Sequence, residues 1–313
     1  CRTFRIVSKN RMEKKFNNPL QTLDGSDRAF VEAKKLSTVW FNTGTLCNIA
    51  CKNCYIESSP TNDRLSYLSF TEVKQFIDEA IEKKLGTHEI GFTGGEPFMN
   101  KDILTMIDYS LSKGFKTLVL TNAMKPMLNR KEALLKINHP NLTIRVSIDH
   151  YEKEKHEKIR GQNTYDVMMQ GLQWLNKNQF NYALATRLLW DEDEDIVRKN
   201  FNNFIKANHL QLDAYSKKQL VTFAEMDEKQ DTPEITTACW KILNKNPDEI
   251  MCSSSRMIVK KKNNVKPSVI ACTLLPYDQS FDLGDSLAGS LKKIYLNHPH
   301  CSKFCVLGGS SCS

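Results

Sequence analysis

Thr45-Leu-Cys-Asn-Ile-Ala-Cys-Lys-Asn-Cys-Tyr55 carries Cys47, Cys51 and Cys54 at C-x3-C-x2-C spacing. A closed structural zinc site uses four ligands, commonly as two C-x2-C knuckles. A cubane iron–sulfur cluster has four irons, so three thiolates leave one iron free for another molecule. The spacing leaves two alternatives open, a zinc knuckle completed by a distant fourth ligand, or three thiols that merely cluster in sequence.

Working outward, the chain alternates between short apolar runs and helical patterns. Thr38-Val-Trp-Phe-Asn42 reads as a strand that feeds the cysteine loop. Ser69-Phe-Thr-Glu72 has the form of a capping box. Val73, Phe76, Ile77, Ala80, Ile81 and Leu85 follow at helical spacing, with Gly86 as the stop. Strands are expected at 89–93, 117–121, 142–148 and 182–189, and helices at about 102–113, 165–177 and 194–207. Residues 210–214 are read as a sixth strand. Apolar strands separated by helices imply a parallel sheet covered by helices. The fold class is therefore α/β, a partial (βα)6 TIM-like barrel whose chemistry lies at the C-terminal strand ends.

Candidate ligand-binding residues fall at those ends. Thr93-Gly-Gly-Glu-Pro97 follows the second strand; two glycines let the backbone come close to a ligand, and Glu96 offers a carboxylate acceptor. Leu120-Thr-Asn122 ends the third strand, Ser147-Ile-Asp149 the fourth, and Arg187 lies inside an apolar strand. The pair Ser147 and Asp149 either meets a diol or opens an ordinary turn. Arg187 needs an anion, since buried charges are rarely unpaired.

The three cysteines and the Gly94-Gly95-Glu96 turn together resemble the radical S-adenosylmethionine (SAM) superfamily. The resemblance implies that Cys47, Cys51 and Cys54 hold a [4Fe–4S] cluster whose open iron chelates SAM. An electron then releases a 5′-deoxyadenosyl radical, which abstracts hydrogen from a substrate. It implies that Gly94, Gly95 and Glu96 hold the amino group of SAM, with Asn122 in a T-N-G-like motif whose glycine is here Ala123. Ser147 and Asp149 would meet the SAM ribose. Arg187 would meet the SAM carboxylate or make a structural ion pair. Arg160-Gly161 looks like an architectural connection of the family. The aromatic residue that many relatives place before the third cysteine is replaced by Asn53, and Tyr55 is not assigned its role.

Cysteines are absent between Tyr55 and Ala238, and six crowd the last quarter: Cys239, Cys252, Cys272, Cys301, Cys305 and Cys312. Such a gap suits two metal sites better than a disulfide framework. A hairpin turning at Asn263-Asn264 would bring Cys252 and Cys272 together. The region resembles Twitch/SPASM extensions, which implies an auxiliary [4Fe–4S] cluster drawn from Cys252, Cys272, Cys301, Cys305 and Cys312, with Cys239 outside it. Zinc is the alternative there, and His298 and His300 are alternative ligands. The expected domains are an N-terminal extension (1–36), the barrel (37–235) and the auxiliary cluster domain (236–313).

The 313 residues are 40% hydrophobic and 26% charged with a net charge of +8, ordinary for a soluble domain and its appendage. No apolar run approaches the roughly 20 residues of a membrane span. No apolar signal core opens the chain, so a reducing, cytoplasmic setting without membrane contact is expected. The first residue, Cys1, reads as a trimmed or incompletely recorded start. Nucleic acid is not an expected partner, because no stacking-aromatic pattern accompanies the basic charge. The expected partners are an electron donor such as a flavodoxin or ferredoxin, and a small-molecule or peptide substrate. The short segment before Ser37, with no winged helix, favours a small molecule or short peptide. The rival classes are a non-enzymatic two-cluster electron-transfer or metal-sensing protein, and a zinc-stapled binding module.

Overall fold

Strands buried on both faces must be covered on both sides, and that requirement organises this chain. The computed structural model describes residues 15–189, 192–224 and 231–308. After a short strand β1 (Phe30–Glu32) come β2 (Thr38–Asn42), β3 (Glu89–Thr93), β4 (Lys116–Thr121), β5 (Leu142–Ser147), β6 (Asn181–Leu188) and β7 (Leu220–Ala224). β2 to β7 lie side by side in sequence order, all parallel, with Trp40 opposite Gly91 and Val146 opposite Leu184.

Helices fill the crossovers: α1 (Phe70–Glu82), α2 (Ile103–Ser112), α3 (Lys125–Leu128), α4 (Lys131–Lys136), α5 (Lys153–Arg160), α6 (Thr164–Lys177) and α7 (Glu194–Ala207). This is the partial barrel that the pattern predicts. The capping box is present: Ser69 Oγ accepts from Glu72 N–H (3.3 Å) and Ser69 N–H donates to Glu72 Oε2 (2.8 Å). Val73, Phe76, Ile77 and Ala80 face inward from α1, as their spacing requires.

One expected strand is displaced. Residues 210–214 form a loop, and the sixth parallel strand is Leu220–Ala224. Leu210 and Ala214 are buried, which mimics a strand, but Leu210 N–H donates to Ile205 O (3.0 Å) and two further backbone donors go to side chains. Gln211 N–H donates to Asn176 Oδ1 (3.0 Å) and to Tyr182 Oη (3.1 Å), and Asp213 N–H to Gln219 Oε1 (2.6 Å). Two of the donors a ladder would need are thus taken by side chains.

After α8 (Cys239–Ile242), β8 (Ser255–Val259) and β9 (Ser268–Ile270) form the expected antiparallel hairpin, with Asn263 at φ +69° in its turn. β8 also pairs in parallel with β2, so the hairpin extends the barrel sheet to eight strands. The run Lys260-Lys-Lys262 is neutralised residue by residue, by Glu72, Asp282 and Asp63. β10 (Lys293–Tyr295) pairs with β1, which ties the N-terminal segment to the end of the chain. Arg28, fully buried, reinforces that tie through Glu234 Oε1 at 2.6 Å.

The sheet separates two apolar cores. Val39, Phe41, Ile90 and Phe92 point to the helices, whereas Trp40, Leu118, Met257 and Val259 meet the C-terminal segment on the other face. That segment fills the concave side of the incomplete barrel. Among the described residues no helix is long and apolar enough to cross a membrane.

Gly91 leaves room for the indole of Trp40: a Cβ there would sit 2.3 Å from the ring. Gly91→Ala is expected to lower stability by about 1–3 kcal/mol through overpacking. Urea unfolding measures this, and an unchanged midpoint would show that the indole can re-seat.

Candidate active site and cysteine centres

The cysteine loop has no regular structure, so neighbouring backbone must hold it. Gly95 N–H donates to Gly44 O (2.8 Å) and Glu96 N–H to Leu46 O (3.2 Å), stitching the turn after β3 to the loop after β2. Contact is too close for a side chain. A Cβ on Gly94, at φ +132°, would lie 2.5 Å from Gly44 O, and one on Gly95 would lie 2.1 Å from Leu46 O. The glycines thus admit the cysteine loop as well as any ligand. Cys47 N–H donates to Ser59 O (3.0 Å) and Lys52 N–H to Ile159 O (2.8 Å), which fixes the loop at two further points.

One cleft at the C-terminal strand ends is lined by Cys47, Cys51 and Cys54. Gly94, Gly95, Asn122, Ser147, Asp149 and Arg187 line it as well. The structure thus gathers into one place residues that are up to 140 positions apart in sequence (187 minus 47). Glu96 is the exception. It is 1% exposed and lies behind the cleft, where its carboxylate accepts from the Thr121 hydroxyl (2.8 Å), Asn122 N–H (2.9 Å) and Phe98 N–H (3.1 Å). Burial pushes its pKa up to about 7 against those three donors. In this arrangement Glu96 braces the ends of β3 and β4.

Asn122 is held by that brace. Its Nδ2 donates to Asn48 Oδ1 (2.9 Å) and lies 3.9 Å from Cys47 Sγ, so the third strand end reaches the first cysteine. Ala123, where relatives carry glycine, adopts φ +55° and is fully buried. A left-handed backbone at a non-glycine residue carries some steric cost.

Asp149 is the electrostatic centre of the opposite wall. Its Oδ1 accepts from Arg187 Nε (2.9 Å), and its Oδ2 from Arg187 Nη2 (2.9 Å) and Arg160 Nε (2.8 Å). Burial opposes its charge, but the two guanidiniums prevail and hold the carboxyl well below the usual aspartate range. Arg187 thus forms the structural ion pair, and its Nη1 donates to Lys52 O (3.3 Å) and Asn53 O (3.2 Å) of the cysteine loop. Arg160, expected to be architectural, lines the cleft, and its Nε bond to Asp149 is its single hydrogen bond among the described residues. Its neighbourhood includes the Cys51 and Cys54 sulfurs. Sequence reasoning missed this role because a basic residue at a helix C-terminus is ordinary. It also missed Phe223 on β7, and Ser58. Asn53 and Tyr55 both line the cleft, Tyr55 being 41% exposed.

Cys252, Cys272, Cys301 and Cys305 line a second, apolar cavity together with His300. The hairpin brings the first two together, and a wide helical turn over Cys301–Leu307 supplies the others. Cys239 lies apart, with Sγ 3.4 Å from Thr236 Oγ1. His298 packs edge-on against His300 at 4.6 Å. Cys312 lies outside the described residues. Two contacts join this region to the first site. Tyr277 Oη donates to Ile56 O (2.7 Å) while Arg64 covers its ring at 3.6 Å, and Phe304 stacks on Phe223 at 6.0 Å.

Burial pushes the thiols of Cys47 and Cys301 up to about 12 and that of Cys252 to about 11. Such thiols become thiolates when a cation binds them. Among the described residues no three His, Cys, Asp or Glu side chains converge on one ion-sized point. A zinc ion gathers its sulfurs about 2.3 Å from one centre, whereas a cubane spreads its thiolates over separate irons. Four thiols around one apolar cavity are a donor set that a thiolate-held cluster can use.

Comparison with known proteins agrees with this geometry. The family model described as the radical SAM superfamily matches residues 41–198, half of the chain, and the chain belongs to that superfamily. Its members use a [4Fe–4S] cluster and S-adenosylmethionine. The antilisterial bacteriocin subtilosin biosynthesis protein AlbA of Bacillus subtilis is 36% identical over 117 residues, 37% of this chain and 25% of that protein. Fe-coproporphyrin III synthase of Methanosarcina barkeri is 32% identical over 145 residues, 46% of this chain and 34% of that protein. The chain thus spans a quarter to a third of these two relatives. The crystal structure of Streptococcus suis SuiB bound to S-adenosylmethionine shares the fold, with a TM-score of 0.59 at 12% identity, covering 80% of this chain and 63% of that one.

Asp149→Asn would leave Arg160 and Arg187 buried without their anion. It is expected to cost about 3–5 kcal/mol at pH 7. A carboxyl with a depressed folded pKa stabilises above its unfolded value of 3.8, and that stability is lost as pH falls towards the folded pKa. The difference between variant and parent should therefore shrink below about pH 4. Unfolding midpoints across pH measure it, and a constant difference would contradict the ion-pair assignment.

Proposed function

We propose that the chain cleaves S-adenosylmethionine reductively at a [4Fe–4S] cluster held by Cys47, Cys51 and Cys54, and uses the product to take hydrogen from a peptide or small-molecule substrate. The observation that carries the proposal is the single cleft shared by three cysteines of one loop and the ends of successive parallel strands. When bound, the cluster supplies the electron that breaks the sulfonium C–S bond and so yields a 5′-deoxyadenosyl radical.

The chain's own residues bind and orient. Gly94 and Gly95 bring backbone to the cleft, and Asn122 and Ser147 present polar side chains suited to an amino acid and a ribose. Arg160, with one hydrogen bond to Asp149, is the cation for the SAM carboxylate; Arg187 is committed to Asp149 and to loop carbonyls. Asp149 orients both guanidiniums, and through Arg187 it steadies the cysteine loop. Phe223 and Leu120 give the cleft an apolar wall that keeps water from a reactive intermediate.

An auxiliary [4Fe–4S] cluster on Cys252, Cys272, Cys301 and Cys305 completes the reading, supported by four thiols around one apolar cavity. An electron donor such as a flavodoxin or ferredoxin supplies the first site. The relatives named above include a bacteriocin biosynthesis protein and an Fe-coproporphyrin III synthase, which supports a peptide or a small molecule as substrate.

Anaerobically reconstituted protein, given dithionite and SAM, should form 5′-deoxyadenosine by chromatography. Absence of product from protein with an intact cluster would favour an electron-transfer role. Cys51→Ala should abolish the product while retaining iron at the C-terminal site. Loss of all iron from that variant would refute two independent centres.

A further inference from the structure

Burying a hydroxyl without a hydrogen bond is costly, so an orphan of this kind marks a missing partner. Among the described residues Ser58 Oγ is buried without a hydrogen-bond partner, and Ser58 lines the active-site cleft. Ser58 is 6% exposed. It lies four residues after Cys54 on the segment that closes the cysteine loop.

Its position is fixed from both sides. Ile56 O accepts from Tyr277 Oη (2.7 Å), and Ser59 O accepts from Cys47 N–H (3.0 Å). Ser58 is therefore clamped between a contact from the C-terminal region and a contact from the first cysteine. A clamped, buried and unpartnered hydroxyl is preorganised for whatever enters the cleft beside the cysteines.

We propose that Ser58 Oγ donates a hydrogen bond to a sulfur of the cluster held by Cys47, Cys51 and Cys54, and thereby sets its reduction potential. This rests on the cluster reading above. Sulfur of a cluster accepts and cannot donate, which suits a hydroxyl that has found no acceptor among the described residues. A donor to sulfur stabilises the reduced, more negative cluster, and hydrogen bonds to the sulfurs are among the determinants of iron–sulfur potentials. Ser58 is a positioning and tuning residue, since it acts through the cluster.

The test is an anaerobic redox titration followed by electron paramagnetic resonance. The SAM-binding cluster is recognised as the signal that changes when SAM is added. Ser58→Ala should make its midpoint potential more negative with iron and sulfide content unchanged, and Ser58→Thr, which keeps the hydroxyl, should stay near the parent. SAM affinity of the oxidised protein, measured by equilibrium dialysis, should be equal in all three. An unchanged potential in Ser58→Ala with the cluster intact would overturn the proposal while leaving the cluster reading in place. A loss of SAM affinity at unchanged potential would overturn it too, by giving the hydroxyl to the cosubstrate. Protein that takes up no iron and sulfide at all would instead sink the cluster reading on which this rests.

Discussion

The site depends on backbone contact between two turns. The cysteine loop is irregular, and it keeps its place because the Gly94-Gly95 turn lies against it more closely than any side chain would permit. The two hydrogen bonds made there are modest, about 1 kcal/mol each. Their effect is geometric: they lock the ends of β2 and β3 into one unit. The remaining restraints come from the far wall, where Arg187 links Asp149 to the carbonyls of Lys52 and Asn53. A loop carrying three cysteines is thus held by backbone on one side and by charge on the other.

The two cysteine centres are mechanically joined. Tyr277 lies five residues beyond Cys272 and holds the carbonyl of Ile56, two residues beyond Cys54. Phe304, beside Cys305, stacks on Phe223 of the cleft wall. Both contacts bury aromatic surface in addition to any directed interaction. The walls of the two cysteine cavities are thus in direct contact.

Much of this was legible in the sequence. β2 to β6 were readable because strands covered on both faces leave continuous apolar runs, and the helix after Ser69 announced itself by its cap and spacing. β7 was displaced because a buried loop at 210–214 has the same apolar texture as a strand, and only its side-chain hydrogen bonds reveal the difference. The motif residues gathered as expected, except that Glu96 turned inward. No spacing rule tells which way a carboxylate faces when hydroxyl and amide donors lie behind it. Arg160 was obscured by α5, a short and highly charged helix with little apolar signal. Ser58 was invisible for a different reason. An absent hydrogen bond is a property of three-dimensional surroundings and leaves no trace in composition.

The pairing of β2 with β8 has a bearing on how the molecule is made. These strands lie more than 200 residues apart, yet Thr38 to Phe41 are aligned with Ser255 to Ile258. During synthesis from the N-terminus, one flank of the growing sheet stays unsatisfied until the last quarter of the chain leaves the ribosome. An uncovered flank of this sort invites pairing with other chains. Arrival of the late hairpin satisfies that flank and, in the same event, brings Cys252 and Cys272 to their common cavity. Maturation of the second centre is thereby coupled to completion of the sheet that frames the first.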